Sequence, residues 1–579
     1  MNPSKVSLRR TSLLLASLLV GTGILGAADD ATTTAVPANS GTSTTAGQQS
    51  QNDEIARLKQ ALAAQQKQLE ALQQAIEKQQ QAINRAVLSA PAPMSPASLG
   101  NVASLTPMVP APAPVALALP SMQAPTTANS SSKNPCEAGP DAVTPAYLRL
   151  GSVCVVPIGF MDFTPFWRDK NAASSMGSNF GSVPFNNVAN GNLSEFHFSE
   201  QNSRLGFRID GDWKGAHFIG YNEFDFNGTS GSTSLAVSNG AIVPRLRLYW
   251  VDVRKNKLEF LAGQSWSLLT PNRKGLSALP GDLFYGQVID INYIAGLTWT
   301  RQPGLRILYH PNDKVTFGLS AEQGDQYIGG SAGGSGITLP TAYAGVVPGQ
   351  LDNAGNISTN GYLAQPTLAP DFIAKVAFDP SSRFHFEVGG LVSTFKIVNP
   401  AVLSQHSTTT GAGVLVGGNV ELVKNFRLIS TNYWSDGGGR YLFGQAPDVI
   451  VRADGSLSAV HAGGTIDGVE AAIKNTLLYA YYGGIYIGRD AAIDTNGSKI
   501  GYGYAGSPNS MNRVINEITF GFNQTIWKNP RYGAINFMGQ YEYLMRDPWA
   551  VAANAPKNTH DNTIYMNIRY TLPGSMPNF

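Results

Sequence analysis

Arginines and carboxylates alternate with apolar residues in three neighbouring segments of the chain. Guanidinium groups raise the local concentration of anions, and they bind carboxylates through paired hydrogen bonds. This charged group could therefore attract anionic solutes, or its arginines could pair with its own acids and only line water. The residue types leave both interpretations open. The members of the group are Arg204, Arg208, Glu223, Asp225, Arg245 and Arg247.

Patterns for other chemistry are weak. The seven histidines show no metal-ligand spacing. Residues 329–333 fit G-x-S-x-G, but they lack the strand–turn–helix context of a nucleophile. The net charge of +2 gives no electrostatic basis for nucleic-acid binding. Cys136 and Cys154 could form a disulfide or stay unpaired. We therefore predict no enzyme, no metal site, no cofactor and no nucleic-acid partner.

The charged group belongs to a period-two pattern that runs from residue 155 to the end of the chain. Such alternation is typical of strands whose two faces meet different environments. No apolar run reaches the roughly 18 residues of a membrane helix. The pattern predicts sixteen strands, at 158–167, 203–213, 217–227, 245–253, 258–266, 293–309, 314–322, 371–378, 384–395, 413–423, 426–434, 463–473, 476–488, 512–527, 533–546 and 563–572.

The connections between these strands alternate strictly in length. Seven are short, such as 214–216 and 424–425, and eight are long, such as 323–370. Outer-membrane barrels have this layout, because their periplasmic turns are short and their outer loops are longer. An even strand number also places both chain ends on the periplasmic side. We therefore predict an all-β fold, a sixteen-stranded antiparallel transmembrane barrel over residues 151–579.

The two faces of each strand predict lipid outside the barrel and water inside. Leu205 and Phe207 share one face of their strand, and Arg204 and Arg208 share the other. A lipid-facing Arg or Lys costs about 2–4 kcal/mol at mid-bilayer, so the charged face should point inward. Aromatic residues near strand ends could form the interfacial girdles, although ordinary strand positions would also explain them. They are Trp213, Tyr309, Trp527 and Tyr570.

The same assignment gives a lumen of mixed charge. In 245–253 it places Leu248 and Trp250 on the lipid side. The predicted inward cations are Arg204, Arg208, Arg245, Arg247, Arg306, Lys375, Arg427, Arg513 and Arg569. The predicted inward acids include Asp210, Glu223, Asp225, Glu259, Glu387, Glu421, Glu517 and Glu542.

The third long connection, 267–292, could fold into the lumen and narrow it, or it could cap the outer surface. Its charged residues Arg273, Lys274 and Asp282 are candidate constriction residues. Charged side chains at a narrow point would act on passing ions at close range.

The first 150 residues have a different character. Residues 1–28 are typical of a secretory signal, with a basic start, a short apolar run and small residues. Residues 29–52 are of low complexity, and residues 89–150 form a Pro/Ala/Ser-rich linker. Between them, residues 53–88 carry heptads that predict a coiled coil, although a lone amphipathic helix would have a similar composition. The apolar a positions are Ile55, Leu62, Leu69, Ile76 and Ile83.

Five short runs between residues 203 and 306 carry a family resemblance. They are Ser203-Arg204-Leu205-Gly206-Phe207, Glu223-Phe224-Asp225-Phe226, Leu246-Arg247-Leu248, Ala262-Gly263-Gln264-Ser265-Trp266, and Arg301-Gln302-Pro303 followed by Arg306. These runs resemble the DcaP-like trimeric porins of Gram-negative outer membranes. The resemblance implies a coiled coil before a sixteen-stranded barrel, a trimer, and uptake of small anions such as dicarboxylates. It also implies that Arg204, Arg247 and Arg306 line the pore.

The sequence as a whole predicts an outer-membrane porin with a periplasmic coiled coil. It would pass small hydrophilic solutes, with some preference for anions, and would contact outer-membrane lipid. It would form a homotrimer through its coiled coil and its barrel. The alternative is a structural or adhesive envelope protein whose barrel is plugged. Arg569 completes the set of candidate pore-lining residues.

Overall fold

The structure is a computed structural model. It describes residues 147–575 except 173, 229–242, 332–333, 348 and 354–366. The chain divides into two units, 1–117 and 118–579, and every described residue belongs to the second. The predicted signal, low-complexity segment and coiled coil, and all but the last residues of the linker, lie outside the described residues.

Sixteen antiparallel strands form a closed barrel, because β1 pairs with both β2 and β16. This confirms the predicted fold class for the described part of the chain. The strands are β1 (Val153–Arg168), β2 (Arg204–Trp213), β3 (Ala216–Gly228), β4 (Val243–Lys255), β5 (Leu258–Trp266), β6 (Arg301–Asn312), β7 (Val315–Glu322), β8 (Asp371–Ser381), β9 (Phe384–Val398), β10 (His406–Val423), β11 (Phe426–Asp436), β12 (His461–Ile473), β13 (Thr476–Ile487), β14 (Asn512–Asn529), β15 (Gly533–Pro548) and β16 (Thr559–Thr571).

Seven short turns lie along one edge of the barrel, which we call the turn edge. The turn between β2 and β3 has φ of 48° at Lys214 and 75° at Gly215. Two consecutive positive φ values give the backbone twist that matches paired strands, and glycine adopts them without steric cost. The first strand begins at this edge, and the last strand ends there.

The opposite edge carries the long connections, and we call it the loop edge. Glu195–Ser199 extends the sheet beside β1, and two small hairpins stand within the loops. A further short strand, Leu148–Leu150, pairs with the start of β1. No helix among the described residues is long and apolar enough to cross a membrane.

The outer wall of the barrel is apolar and the inner wall is polar. In β16, Ile564 and Ile568 are exposed on the outside, whereas Tyr565 and Asn567 are buried on the inside. Trp213, Tyr309 and Trp527 are exposed at the turn edge, and Tyr570 is half-buried there. The predicted face assignment is therefore correct for most strands.

The predicted face assignment for β4 is wrong for Leu248 and Trp250. The register between β3 and β4 shifts at Arg247 and Leu248, which is a β-bulge. A bulge adds one residue and reverses the alternation beyond it. Leu248 and Trp250 therefore point inward, where Trp250 stacks on Tyr221 with ring centroids 5.1 Å apart.

Two other predictions need correction, one of a strand boundary and one of the direction of a side chain. The sixth strand begins at Arg301, not at residue 293, because residues 293–300 are apolar but are buried inside the barrel. A second bulge lies between Asn512 and Val514. It leaves Arg513 exposed at the loop edge, where its Nη2 lies 2.6 Å from the Asp547 carboxylate, so Arg513 does not face the lumen.

Candidate pore lining

Arginines from β2 and β4 converge on two acids of β3. Arg204 lies opposite Asp225 in the register of β2 and β3. The Arg247 guanidinium bridges both acids, with Nε 2.8 Å from Glu223 and Nη1 2.6 Å from Asp225. Arg245 donates two hydrogen bonds to Asp225, at 2.6 and 3.0 Å. The structure thus brings five of the predicted site residues into one network.

Tyr293 stands at the centre of this network, although the sequence analysis assigned it to a strand. Its hydroxyl accepts hydrogen bonds from Arg247 Nη2 at 3.0 Å and from Arg204 Nη2 at 3.4 Å. Burial alone would raise the pKa of the Tyr293 phenol, but Arg204 and Arg247 outweigh burial and hold that pKa below its usual value. The site is therefore electropositive.

Arg301 adds a fourth guanidinium that the sequence analysis did not select. It lies over the rings of Trp266 and Trp299, at 5.2 and 5.6 Å from their centroids. Its buried Nη1 has no hydrogen-bond partner among the described residues, and neither do the indole nitrogens of both tryptophans. We call Arg204, Arg245, Arg247 and Arg301 the arginine cluster. It holds four cations against two carboxylates.

The third long connection folds into the barrel, which is the first of the two alternatives given above, and it does not cap the outer surface. We call residues 267–300 the lumen segment. Arg273 crosses to β12, where Nη2 lies 2.6 Å from Glu470. The amide of Ile289 donates to Gln540 of β15 at 2.6 Å. Gly483 of β13 permits close approach, because a Cβ there would lie 2.1 Å from the carbonyl oxygen of Ala295.

Carboxylates of the barrel wall hold the main chain of the lumen segment. Glu322 accepts from the amide of Leu268 at 2.8 Å, and Glu517 accepts from the amide of Ala295 at 2.8 Å. Glu387 accepts from the amide of Asn272 at 3.1 Å. Charge-assisted bonds of this kind are stronger than neutral ones. Many lumenal acids are therefore occupied by backbone groups.

The predicted constriction residues lie in different surroundings. Arg273 is ion-paired with Glu470, while Lys274 is exposed. Asp282 is half-buried, and burial raises the pKa of its carboxyl above the usual value. Among these three, Lys274 is the cation with most access to water.

Comparisons with known proteins agree with this geometry. No protein-family model matches the chain, and no curated protein matches it in sequence. The outer membrane channel DcaP of Acinetobacter baumannii is 17% identical, and the match covers 74% of this chain and 99% of that one with a TM-score of 0.53. The chain has the fold of a DcaP-like porin.

Other solved outer-membrane proteins also match at lower similarity. An anion-selective porin from Comamonas acidovorans is 13% identical, with 72% of this chain and 99% of that one covered and a TM-score of 0.39. OmpT of Vibrio cholerae is 11% identical, with 73% and 99% covered and a TM-score of 0.38. The match to DcaP confirms, as a likeness of fold, the resemblance that the short runs predicted.

Within this DcaP-like fold, the three arginines selected by resemblance differ in role. Arg204 and Arg247 belong to the arginine cluster. Arg306 is buried, and its Nη2 donates to the carbonyl of Trp266 at 2.5 Å, so it supports the start of the lumen segment. Towards the turn edge, Arg208 pairs with Asp210 at 2.7 Å, and Arg569 pairs with Asp162 at 2.7 Å.

The first long connection also enters the DcaP-like barrel, which the sequence analysis missed. The Ser178 hydroxyl donates to Glu542 of β15 at 2.8 Å, and its amide donates to Asp290 of the lumen segment at 2.8 Å. Buried Arg168 donates to the carbonyls of Ser175 and Met176. Only the small and apolar residues at 174–185 could have signalled this insertion, and they are common in outer loops.

The proposed disulfide has one half in the described part of the DcaP-like fold. Cys154 is fully buried near the start of β1, and no described cysteine is free. Cys136 lies outside the described residues, so a bridge between the two remains a prediction.

Proposed function

We propose that the protein is an outer-membrane porin that passes small hydrophilic solutes by diffusion and favours anions such as dicarboxylates. The arginine cluster carries this proposal, because four guanidinium groups face two carboxylates. The Arg245 side chain is 37% exposed, so its guanidinium can donate hydrogen bonds to a passing carboxylate, while buried Arg301 adds positive charge behind it. The field at this point therefore favours anions.

The acids of the lumen support the same conclusion. Glu322, Glu387 and Glu517 accept amide N–H groups of the lumen segment, so their charge is partly offset locally. Glu470 is offset by Arg273. The acids along the wall therefore do not cancel the field of the arginine cluster.

We further propose that the turn edge faces the periplasm and the loop edge faces outward. Short turns on one side and long loops on the other support this orientation. The start of β1 at the turn edge would then connect to the linker at 89–150 and to the predicted coiled coil at 53–88. That coiled coil would hold three copies together beneath the membrane.

Planar-bilayer recording of the purified full chain tests the proposal. With a salt gradient across a neutral bilayer, we expect open channels and a reversal potential that gives an anion/cation permeability ratio above one. Succinate should lower the chloride current as it occupies the cluster. A reversal potential of the opposite sign would reject the anion preference.

A second candidate function is a structural or adhesive barrel without conductance. The observation in its favour is that apolar residues of the loops form a buried cluster inside the barrel, among them Phe180, Leu268 and Leu442. Correctly inserted protein that leaves the bilayer electrically closed would support this candidate instead.

A further inference from the structure

Every short turn at the turn edge carries an exposed lysine or arginine. The seven turns come from seven separate hairpins, so these cations are spread around the whole perimeter of the barrel. We call them the basic ring. Its exposed members are Lys214, Lys255, Lys257, Lys314, Arg383, Lys424, Lys474, Lys528 and Arg531.

Few members of the basic ring are paired with acids. Leaving Lys528 aside, no member forms an ion pair with a described residue. At the loop edge, Arg452 pairs with Asp490 at 3.1 Å and Arg513 pairs with Asp547 at 2.6 Å, whereas Arg489 is exposed and forms no ion pair with a described residue. Exposed cations are therefore paired with acids less often at the turn edge than at the loop edge.

Exposed aromatic side chains lie directly beside the basic ring. The Lys214 ammonium stands 4.7 Å from the ring centroid of Trp213, and the Arg531 guanidinium stands 5.8 Å from that of Tyr532. Trp213, Trp527 and Tyr532 are exposed on the outer wall. Aromatic residues of this kind mark the boundary between acyl chains and headgroups, and long basic side chains reach from there to the headgroups.

We propose that the basic ring binds the phosphates of anionic phospholipids in the leaflet at the turn edge. The ring surrounds the barrel evenly, as a shell of lipid does, whereas a single protein partner would need a patch on one side. Each Lys or Arg near an anionic surface contributes attraction of about 1 kcal/mol, and salt weakens it. This inference rests on the membrane location proposed above but not on conductance.

Tryptophan quenching by brominated lipids provides a direct test, because Trp213 and Trp527 lie beside the ring. The full-length protein is reconstituted in vesicles of phosphatidylcholine that contain increasing brominated phosphatidylglycerol, or brominated phosphatidylcholine as the reference lipid. For the wild type we expect stronger quenching by the anionic lipid at low salt and a smaller difference at high salt. Equal quenching by the two lipids at low salt would overturn the proposal.

Matched variants locate the effect. A triple variant of the turn edge, Lys257→Gln, Lys314→Gln and Lys424→Gln, should weaken the relative affinity for anionic lipid by about tenfold or more. The control variant at the loop edge, Arg489→Gln, Lys499→Gln and Lys557→Gln, removes the same charge and should keep the wild-type preference. Equal loss in both variants would show that only net charge matters, which contradicts the proposal.

Two further outcomes separate this inference from its rivals. A lipid preference without channel conductance would leave the basic ring in place and reject the porin. Retention on purified peptidoglycan that the turn-edge variant loses, with no lipid preference, would overturn the lipid assignment in favour of an anionic polymer.

Discussion

The two sides of the lumen use their charges differently. On the side of β2 to β6, the arginine cluster holds four cations around Glu223 and Asp225, and Arg301 keeps an unpartnered donor. On the sides of β7, β9 and β14, carboxylates accept amide groups of the lumen segment. In one lumen, acids can therefore fix a loop while bases set the field that a solute meets.

The largest effect is expected when charge is reversed in the arginine cluster. Arg204→Glu together with Arg247→Glu replaces two cations by two anions, so we expect the reversal potential in a salt gradient to change sign. Glu223 would lose both of its arginine partners and Asp225 would keep only Arg245, and broken buried pairs cost about 3–5 kcal/mol. The β-sheet signal in circular dichroism must therefore be recorded for the same preparation. An unchanged reversal potential in a folded barrel would contradict the role of the cluster.

Removal of the wall carboxylates that hold the lumen segment should change the single-channel conductance more than the ion selectivity. Glu387→Ala together with Glu517→Ala leaves amide groups of the lumen segment without acceptors, at about 1–3 kcal/mol for each buried group. It also removes the ion-pair partner of buried Lys375, at about 3–5 kcal/mol, so the β-sheet signal in circular dichroism must be recorded for this variant too. We expect the segment to detach, with larger single-channel conductance and more current noise. Glu421→Ala is the control, because Glu421 faces inward but accepts from Asn425 at a turn. The same rise in the control would show that lost charge, not a released segment, is responsible.

Arg301 allows a milder test of the basic side. Arg301→Gln removes one cation that forms no ion pair with a described residue, so the fold should persist. We expect a lower anion/cation permeability ratio without a change of sign, and Arg301→Lys should fall between the two. Arg513→Gln removes an arginine from the outer wall at the loop edge and should leave the ratio unchanged. If Arg301→Gln also leaves the permeability ratio unchanged, the Arg301 guanidinium has no part in selectivity.

The smallest expected effect concerns the loops outside the lumen segment. Burial raises the pKa of the Asp325 carboxyl above its usual value; Arg440 opposes this, and Asp352 adds to it. A carboxyl whose pKa is higher in the folded state contributes stability below its unfolded pKa and loses it as the pH rises through the folded pKa. The folded pKa is about 7, so we expect the melting temperature of the wild type to fall between about pH 4 and pH 7 relative to Asp325→Asn and to run parallel to it above that range. Parallel curves for the two proteins between those two pH values would contradict this linkage.

The sequence predicted the barrel well because alternation and turn spacing are local signals. All sixteen strand predictions overlap most of their strand, although the sixth begins too early, and the register at Arg204 and Asp225 follows from a two-residue turn. The bulge at Leu248 left no local signal, since both residues beside it are ordinary strand formers. Its inward direction depends on pairing with β3.

The lumen was harder to predict from the sequence. Residues 293–300 have the composition of a strand, yet they are buried inside the barrel because other strands already complete the wall. Alternation assigned the acids of the wall to the inner face, but it could not predict which amide groups of the lumen segment they bind. Such contacts join residues that lie up to 222 positions apart, as for Ala295 and Glu517. Arg301 was not selected because it begins a strand, where its direction is not fixed by alternation.

The bonds that fix the lumen segment have a consequence for how such a channel can diversify. The wall carboxylates at Glu322, Glu387 and Glu517 hold amide groups, which nearly every amino acid provides. Exposed side chains such as Lys274 can then be exchanged by mutation while the path of the backbone is kept. A lineage could in this way acquire new solute preferences one substitution at a time, with little risk to assembly of the barrel.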